Sequence, residues 1–357
     1  MKRTTLFLII FLALTSASYA QTFTDTTCAR YFEITDRLRA GDSLDRKVWH
    51  NFLQDKAIQV YITDQGLDES YYEAYRKNMQ IVYMPQKDSI LQVRLKDSST
   101  YWLTYMIYQY KKYEQGMKAY LKKIDQNPEA YFATCYRYAY SALPKNAHRK
   151  LPQQAFSVIP MHNDAHVENN WVVFTLLCAY FNDANHYGAL GGHELHHALR
   201  PRPDVKLRSK DEGVVTVLYK ILNEGSADLV DKKYMTDTAT ALLPYQRLFD
   251  EFYSEGKTVM PHLDTMLALS AQRDSSFKTR EYLKGVSNTS GHMPGTYMSA
   301  VIDRNGLKAK LLLHINDPFY YFQVYNEAAR KEKKNAYVFS DASMQFIAKL
   351  RRQYMKL

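Results

Sequence analysis

The stretch Gly191–His197, which reads GGHELHH, decides both the fold and the chemistry expected of this chain. On an α-helix, His193 and His197 lie one turn apart on the same face, so both imidazoles can reach one cation. Glu194 lies about 100° around the helix from His193, where it can hydrogen-bond a water beside that cation rather than bind the cation itself. The alternative, an exposed histidine-rich helix, stays open on this segment alone.

A second segment, Leu222–Asp228, reads LNEGSAD and falls on the next predicted helix. A catalytic zinc site needs a third protein ligand and an open position for water. Glu224 can supply that ligand, and Asp228, one turn later on the same face, can accept the ring N–H of a ligating histidine. Gly225 has no side chain, which would let two helices approach closely. The alternative is an ordinary solvated helix face that carries two acids.

Length and composition are those of a packed globular protein. The chain has 357 residues, 46% of them apolar and 24% charged, with a formal net charge of +10; this excludes disorder, collagen and a coiled-coil rod. Cys28, Cys135 and Cys178 are too few for a disulfide framework, so core packing must hold the fold. The basic patches Arg330–Lys334 and Lys349–Lys356 are expected to be solvated helix faces, and no nucleic-acid partner is predicted.

Residues 1–20 have the features of a cleaved secretory signal peptide. Two basic residues precede the apolar run Leu6–Leu14, and small residues lead up to Ala20. The run is too short to cross about 30 Å of hydrocarbon. We therefore expect a secreted or periplasmic mature chain with no transmembrane segment.

Two regions are expected in the mature chain, and the predicted fold class is α+β, mainly α. Residues 21–150 show helical patterns and form a helical N-terminal region. Residues 151–357 contain both motifs and form the catalytic region, with strands at Ala155–Ile159, Trp171–Phe181 and Lys308–Ile315. Further helices are predicted at Val214–Tyr234, Pro244–Tyr253, His262–Ala271, Tyr297–Asn305, Pro318–Arg330 and Ser340–Tyr354.

The two motifs together resemble those of the gluzincin metallopeptidases. HELHH at 193–197 and NEGSAD at 223–228 combine the Asn-Glu-x-x-x-Asp pattern of thermolysin-like enzymes with a Leu-Asn-Glu-Gly close to that of zinc aminopeptidases. With SGHMPGTYM at 290–298 and YNEAA at 325–329, the chain resembles a family of secreted bacterial proteins described as zinc-dependent peptidases. The shared motifs lie within residues 160–330, and they imply a gluzincin-like zinc-helix domain beside a small sheet.

The resemblance implies a Zn²⁺ ion held by His193, His197 and Glu224. It also makes Asp228 the outer partner of a ligating histidine. Twenty-six residues separate His197 from Glu224, more than in either well-known gluzincin type. An insertion around Arg200–Gly213 must therefore loop out.

The resemblance also assigns the catalytic roles. Glu194 would take a proton from water and pass it to the leaving amine. His292 and Tyr297 are the candidates for the donor to the oxyanion, because gluzincins commonly use a downstream His or Tyr. The Gly-x-Met-Glu-Asn sequence of zinc aminopeptidases is absent, which favours an endopeptidase acting on peptides or unfolded protein.

Two other functions remain open on sequence grounds. The chain could be a catalytically silent, metal-containing binding protein whose tyrosine-rich N-terminal helices contact glycan or protein. The same zinc-dependent chemistry could instead hydrolyse a non-peptide bond, such as an ester or a sugar amide. The oligomeric state is also left open.

Overall fold

A computed structural model of the protein describes residues 21–168, 170–184, 186–203, 205–232, 248–282, 291–332 and 335–355. The predicted signal peptide, residues 1–20, lies outside these ranges. The described chain is mainly helical with one small sheet, which confirms the predicted α+β class. Within these ranges, every helix is too short or too polar to span a bilayer.

Eight α-helices lie between residues 26 and 141, where helical patterns are predicted. Several begin at a side-chain cap: Asp45, Asp55, Asp68 and Asn127 each accept a hydrogen bond from a backbone N–H of the first turn, which satisfies a donor that the helix leaves unpaired. The helices are α1 (Thr26–Arg39), α2 (Arg46–Leu53), α3 (Lys56–Gln65), α4 (Glu69–Tyr83), α5 (Asp88–Leu95), α6 (Trp102–Lys112), α7 (Glu114–Gln126) and α8 (Pro128–Ser141).

Tyrosines fill much of the space between these helices. Tyr31 on α1, Tyr75 on α4 and Tyr110 on α6 are fully buried, and the rings of Tyr31 and Tyr110 lie 5.7 Å apart. Buried rings of this size contribute large apolar area to a core. These three tyrosines therefore support the fold and are not exposed to a glycan or protein ligand.

A four-stranded sheet joins the two predicted regions. Its strands are β1 (Thr22–Thr24), β2 (Ala155–Ile159), β3 (Ala165–Glu168) and β4 (Trp171–Thr175), in the order β1-β2-β4-β3. β1 pairs in parallel with β2, and β2 pairs in parallel with β4. β3 pairs antiparallel with β4 and forms one edge of the sheet. The first residues of the predicted N-terminal region thus belong to the same sheet as the strands that precede the metal motif.

The prediction of one buried strand over Trp171–Phe181 is wrong beyond its first half. β4 ends at Thr175, and α9 (Leu176–Asp183) begins directly after it. A continuous apolar run that is buried on several sides has no periodicity to separate strand from helix. The strand at Ala155–Ile159 is found with the predicted bounds.

The other regular elements of the described chain are helices: α10 (Ala189–Leu199), α11 (Glu212–Asp231), α12 (Leu248–Arg273), α13 (Thr279–Tyr282), α14 (His292–Arg304), α15 (Lys308–Leu312), α16 (Pro318–Lys331) and α17 (Asp341–Tyr354). Of these, α11, α14, α16 and α17 correspond to predicted helices. The two helices predicted at Pro244–Tyr253 and His262–Ala271 are the single helix α12, which continues through Pro261; residues 244–247 lie outside the described ranges.

The predicted strand at Lys308–Ile315 is also wrong, because α15 occupies its first part. Lys308 and Lys310 alternate with less polar residues, which suggests the two-residue period of a strand. Lys, Ala and Leu are nevertheless good helix formers. Burial falls on Leu311, whereas Leu313 is 76% exposed, so no apolar strand face is formed.

Helices α11 and α14 cross at two glycines. A Cβ on Gly225 would lie 2.6 Å from the carbonyl oxygen of Gly295, closer than any relaxed contact. Two hydrogen bonds secure the crossing: Ser299 Oγ donates to the Gly225 carbonyl at 2.6 Å, and the Tyr321 hydroxyl donates to the Gly295 carbonyl at 2.9 Å. Only a residue without a side chain allows this separation, as the sequence predicted for Gly225.

Replacing Gly225 with alanine is expected to lower the free energy of unfolding by roughly 1–3 kcal/mol, the usual cost of overpacking a core. The added methyl group must push α11 away from α14. Urea denaturation of the full chain measures the change. Glu212→Ala, an exposed substitution in the first turn of the same helix, serves as the control and should change stability by about 0.5 kcal/mol or less. An unchanged stability in Gly225→Ala would contradict the close crossing.

Candidate metal centre

The motif helix α10 is buried along almost its whole length. His193, Glu194 and His197 are only 3%, 5% and 7% exposed. The helix lies against α8, where a Cβ on Gly192 would be 3.0 Å from the carbonyl oxygen of Cys135. α10 ends at Leu199, ahead of the prolines predicted to end it. The motif is therefore an internal helix and not an exposed histidine-rich one.

Three potential ligand atoms converge between α10 and α11. The Nε2 atoms of His193 and His197 lie 3.1 Å apart. Glu224 Oε2 lies 3.4 Å from His197 Nε2 and 4.0 Å from His193 Nε2. Ligands bound tetrahedrally at about 2.0–2.2 Å lie about 3.3–3.6 Å apart. Two imidazoles and a carboxylate at these separations fit a zinc ion, so the predicted ligands are brought together.

The outer partner of His193 is a residue that the motif did not indicate. His193 Nδ1 lies 2.9 Å from Asp231 Oδ1, whereas Asp228 Oδ1 is 3.9 Å away. A carboxylate that accepts the Nδ1 proton leaves the Nε2 lone pair free to bind a metal. Asp231 thus takes the position expected of Asp228. The signal for it was its spacing of seven residues from Glu224, two helical turns on the same face.

Asp228 instead holds His292. His292 Nδ1 lies 3.1 Å from Asp228 Oδ1, and the hydroxyl of Thr296 donates to Asp228 Oδ2 at 2.5 Å. His292 Nε2 lies 3.3 Å from Glu224 Oε2, on the side where the ligand atoms meet. The structure therefore brings His292 to the metal site. Its ring is oriented by Asp228, which the sequence motif predicted to be the partner of a zinc-ligating histidine.

Lys232 forms ion pairs with the two outer acids. Its Nζ lies 2.7 Å from Asp231 Oδ2 and 3.7 Å from Asp228 Oδ1, and the side chain is buried. Burial raises the pKa of Asp231, but the charge of Lys232 and the hydrogen bonds from Lys232 and His193 outweigh it and hold that pKa well below its usual range. His193, Asp228 and Asp231 also form a possible ligand group, yet Lys232 already provides its cation.

Burial and neighbouring charges shift the pKa values of the two remaining site residues, Glu194 and His292. Burial raises the pKa of Glu194 to about 7. Burial lowers the pKa of His292, but the charges of Asp228 and Glu224 overcome it and raise that pKa to about 9. Near neutral pH, Glu194 can therefore accept or release a proton, while His292 carries one.

Tyr297, the second candidate for the oxyanion donor, is not directed toward His292. It lies five residues further along α14, about 140° around the helix. Its hydroxyl accepts a hydrogen bond from the backbone N–H of Tyr337 at 3.2 Å, and its ring packs against Tyr253 and Tyr325. The structure gives Tyr297 a packing role.

Comparison with known proteins agrees with this donor set. A family model described as "Putative zinc dependent peptidase (DUF5700)" matches residues 49–334. No curated protein and no solved structure matches the chain. The family description suggests a hydrolase with peptide substrates and a zinc cofactor, and His193, His197 and Glu224 could hold that metal. Because the match covers well over half of the 357 residues, the chain belongs to the DUF5700 family.

Proposed function

We propose that this protein is a secreted zinc metallopeptidase of the gluzincin type, acting as an endopeptidase on peptides or unfolded protein. The observation that carries the proposal is the convergence of three ligand atoms from α10 and α11 within 4.0 Å of one another, with the buried Glu194 on the same helix turn as His193. Family membership supports peptide substrates.

In this proposal, His193, His197 and Glu224 hold zinc and Glu194 moves the proton. Bound zinc supplies Lewis acidity, which polarises the scissile carbonyl and lowers the pKa of water. Glu194 takes the proton from the attacking water and then delivers it to the leaving amine. A pKa of about 7 suits both transfers near neutral pH, because a general base works best when its pKa is close to the working pH.

His292 is the proposed donor to the oxyanion of the tetrahedral intermediate. Its Nδ1 is held by Asp228, so the ring is fixed and Nε2 faces the ligand side of the site. A preoriented, positively charged donor stabilises negative charge that develops only in the transition state. This proposal assigns no catalytic role to Tyr297.

Replacing His292 with phenylalanine is therefore expected to lower kcat roughly 10²-fold, the usual effect of removing one oxyanion donor, while zinc content stays unchanged. Steady-state kinetics on a peptide substrate and metal analysis measure the two quantities. Thr296→Val removes the hydrogen bond from the Thr296 hydroxyl to Asp228 and is the matched control, with a much smaller effect expected. A His292→Phe enzyme with normal kcat would exclude the assignment.

The function itself is tested on the exported chain by zinc analysis together with turnover of a broad peptide library. Stoichiometric zinc without peptide cleavage would favour a binding protein, and cleavage restricted to esters or sugar amides would favour a non-peptide hydrolase. Gln21, which would be the first residue after cleavage, is held on the fold: its amide donates to the Tyr136 hydroxyl at 2.6 Å and to the Leu151 carbonyl at 3.1 Å. Mass spectrometry of the exported protein tests cleavage after Ala20.

A further inference from the structure

Arg200, the first residue after α10, is a buried cation without an acidic partner. Its side chain is only 2% exposed, and among the described residues no carboxylate lies within ion-pair distance of it. The guanidinium donates to Asn223 Oδ1 at 2.7 Å, to the Tyr219 hydroxyl at 2.8 Å and to the Ile315 carbonyl at 3.3 Å. Burying an unpaired charge is costly. Arg200 therefore occupies, at a cost in free energy, the position directly after the helix that carries His193 and His197.

The contact between Arg200 and Asn223 determines the orientation of the asparagine amide. A guanidinium has five donors and no acceptor, so only the amide oxygen of Asn223 can face it. The amide nitrogen must then point the other way. There Asn223 Nδ2 donates to Glu224 Oε1 at 3.0 Å.

This hydrogen bond distinguishes the two oxygens of Glu224. Oε1 is held by Asn223, and Oε2 is the atom that lies 3.4 Å from His197 Nε2 and 3.3 Å from His292 Nε2. The carboxylate is thereby turned so that one oxygen faces the other ligand atoms. An outer partner that orients a ligand in this way usually changes metal affinity by 10-fold to 100-fold.

We propose that Arg200 is a positioning residue that acts through Asn223 to fix which oxygen of Glu224 faces the metal. The inference rests on the proposed function, because it takes Glu224 as a zinc ligand. A merely structural Arg200 would stabilise the fold through its contacts with Tyr219 and Ile315. A positioning Arg200 must in addition change zinc affinity, and only by way of Asn223.

The first test uses Asn223→Asp in the full chain. The new carboxylate still pairs with Arg200, so the thermal unfolding temperature should stay the same or rise. It cannot donate to Glu224 and places a like charge beside it. Zinc affinity, measured by competition with a chromophoric chelator, should therefore fall about 10-fold to 100-fold. Unchanged affinity in a folded Asn223→Asp protein would overturn the proposal.

The second test distinguishes a relay, in which Arg200 acts on Glu224 only through Asn223, from two contacts that act independently. Asn223→Leu and Arg200→Met should each weaken zinc binding by about 10-fold or more. The double variant should bind zinc no more weakly than Asn223→Leu alone, because the effects of residues that act as one unit do not add. Multiplied losses in the double variant would contradict the relay. Tyr219→Phe removes another hydrogen bond of the same guanidinium and should leave zinc affinity within about twofold.

A Glu224→Ala protein in the same series distinguishes failure of the relay from failure of the proposed zinc site. If Glu224→Ala loses zinc while the Asn223 and Arg200 variants keep it, the relay is wrong and the proposed zinc site stands. If Glu224→Ala itself binds zinc normally, the proposed site is wrong. The predicted order of zinc affinity is wild type, then the relay variants, then Glu224→Ala.

Discussion

A Glu224→Ala protein is expected to lose both zinc and peptide hydrolysis. The substitution removes the only carboxylate among the three ligand atoms and leaves two histidines from a single helix. Their Nε2 atoms, 3.1 Å apart, can hold a cation from one side only. We expect zinc affinity to fall by more than about 10²-fold, beyond the loss typical of removing an outer partner. Zinc content after dialysis and turnover of a peptide substrate measure the two effects.

The matched control for Glu224→Ala is Glu212→Ala on the same helix. Glu212 is exposed in the first turn of α11. This variant therefore loses a glutamate carboxylate far from the site and should keep both zinc and turnover. Far-UV circular dichroism establishes that both variants are folded. Full zinc occupancy in Glu224→Ala would remove the basis for the site, whatever the activity.

Helical periodicity was sufficient to predict that His193 and His197 share one helix face, but not to place Glu224 beside them. The spacing of four residues places His193 and His197 on one face of α10, and only a neighbouring helix can add Glu224. The loop predicted between them is present, because α10 ends at Leu199 and α11 begins at Glu212. Its first residue, Arg200, turns inward instead of toward solvent. Spacing alone does not indicate which loop residues are buried.

The outer residues could not be predicted in the same way. Asp228 and Asp231 lie on nearly the same face of α11, one and two turns after Glu224. Which of them meets the His193 ring depends on where α10 and α11 cross and at what angle. A single sequence does not contain that angle. Lys232 lies within ion-pair distance of both acids, and its role follows only once their positions are known.

Long-range strand pairing was equally inaccessible from local pattern. β1 lies more than 130 residues before its partner β2, and the register pairs Phe23 with Phe156. No turn signal or short loop links the two segments. The helical N-terminal region and the small sheet were predictable from composition and periodicity, but their connection through β1 was not.

Replacing Glu194 with glutamine is expected to lower kcat strongly while leaving zinc bound. Glutamine keeps the shape of the side chain and its place beside His193, but it cannot accept the proton of the attacking water. Loss of a general base usually lowers kcat by roughly 10²–10⁴-fold. Burial raises the pKa of Glu194 to about 7, so the wild-type carboxyl group can exchange protons at neutral pH, and the amide removes that capacity.

Zinc content and kcat must be measured on the same Glu194→Gln preparation. A general base affects kcat alone, whereas a metal ligand affects zinc content as well. With general-base catalysis, the protein binds zinc at the wild-type level and turns over slowly. If zinc is lost as well, Glu194 is a ligand and not a base. If kcat stays within a few-fold of wild type, another group takes the proton and the mechanism fails. Glu212→Gln on α11 makes the same chemical change at an exposed position and should alter neither quantity.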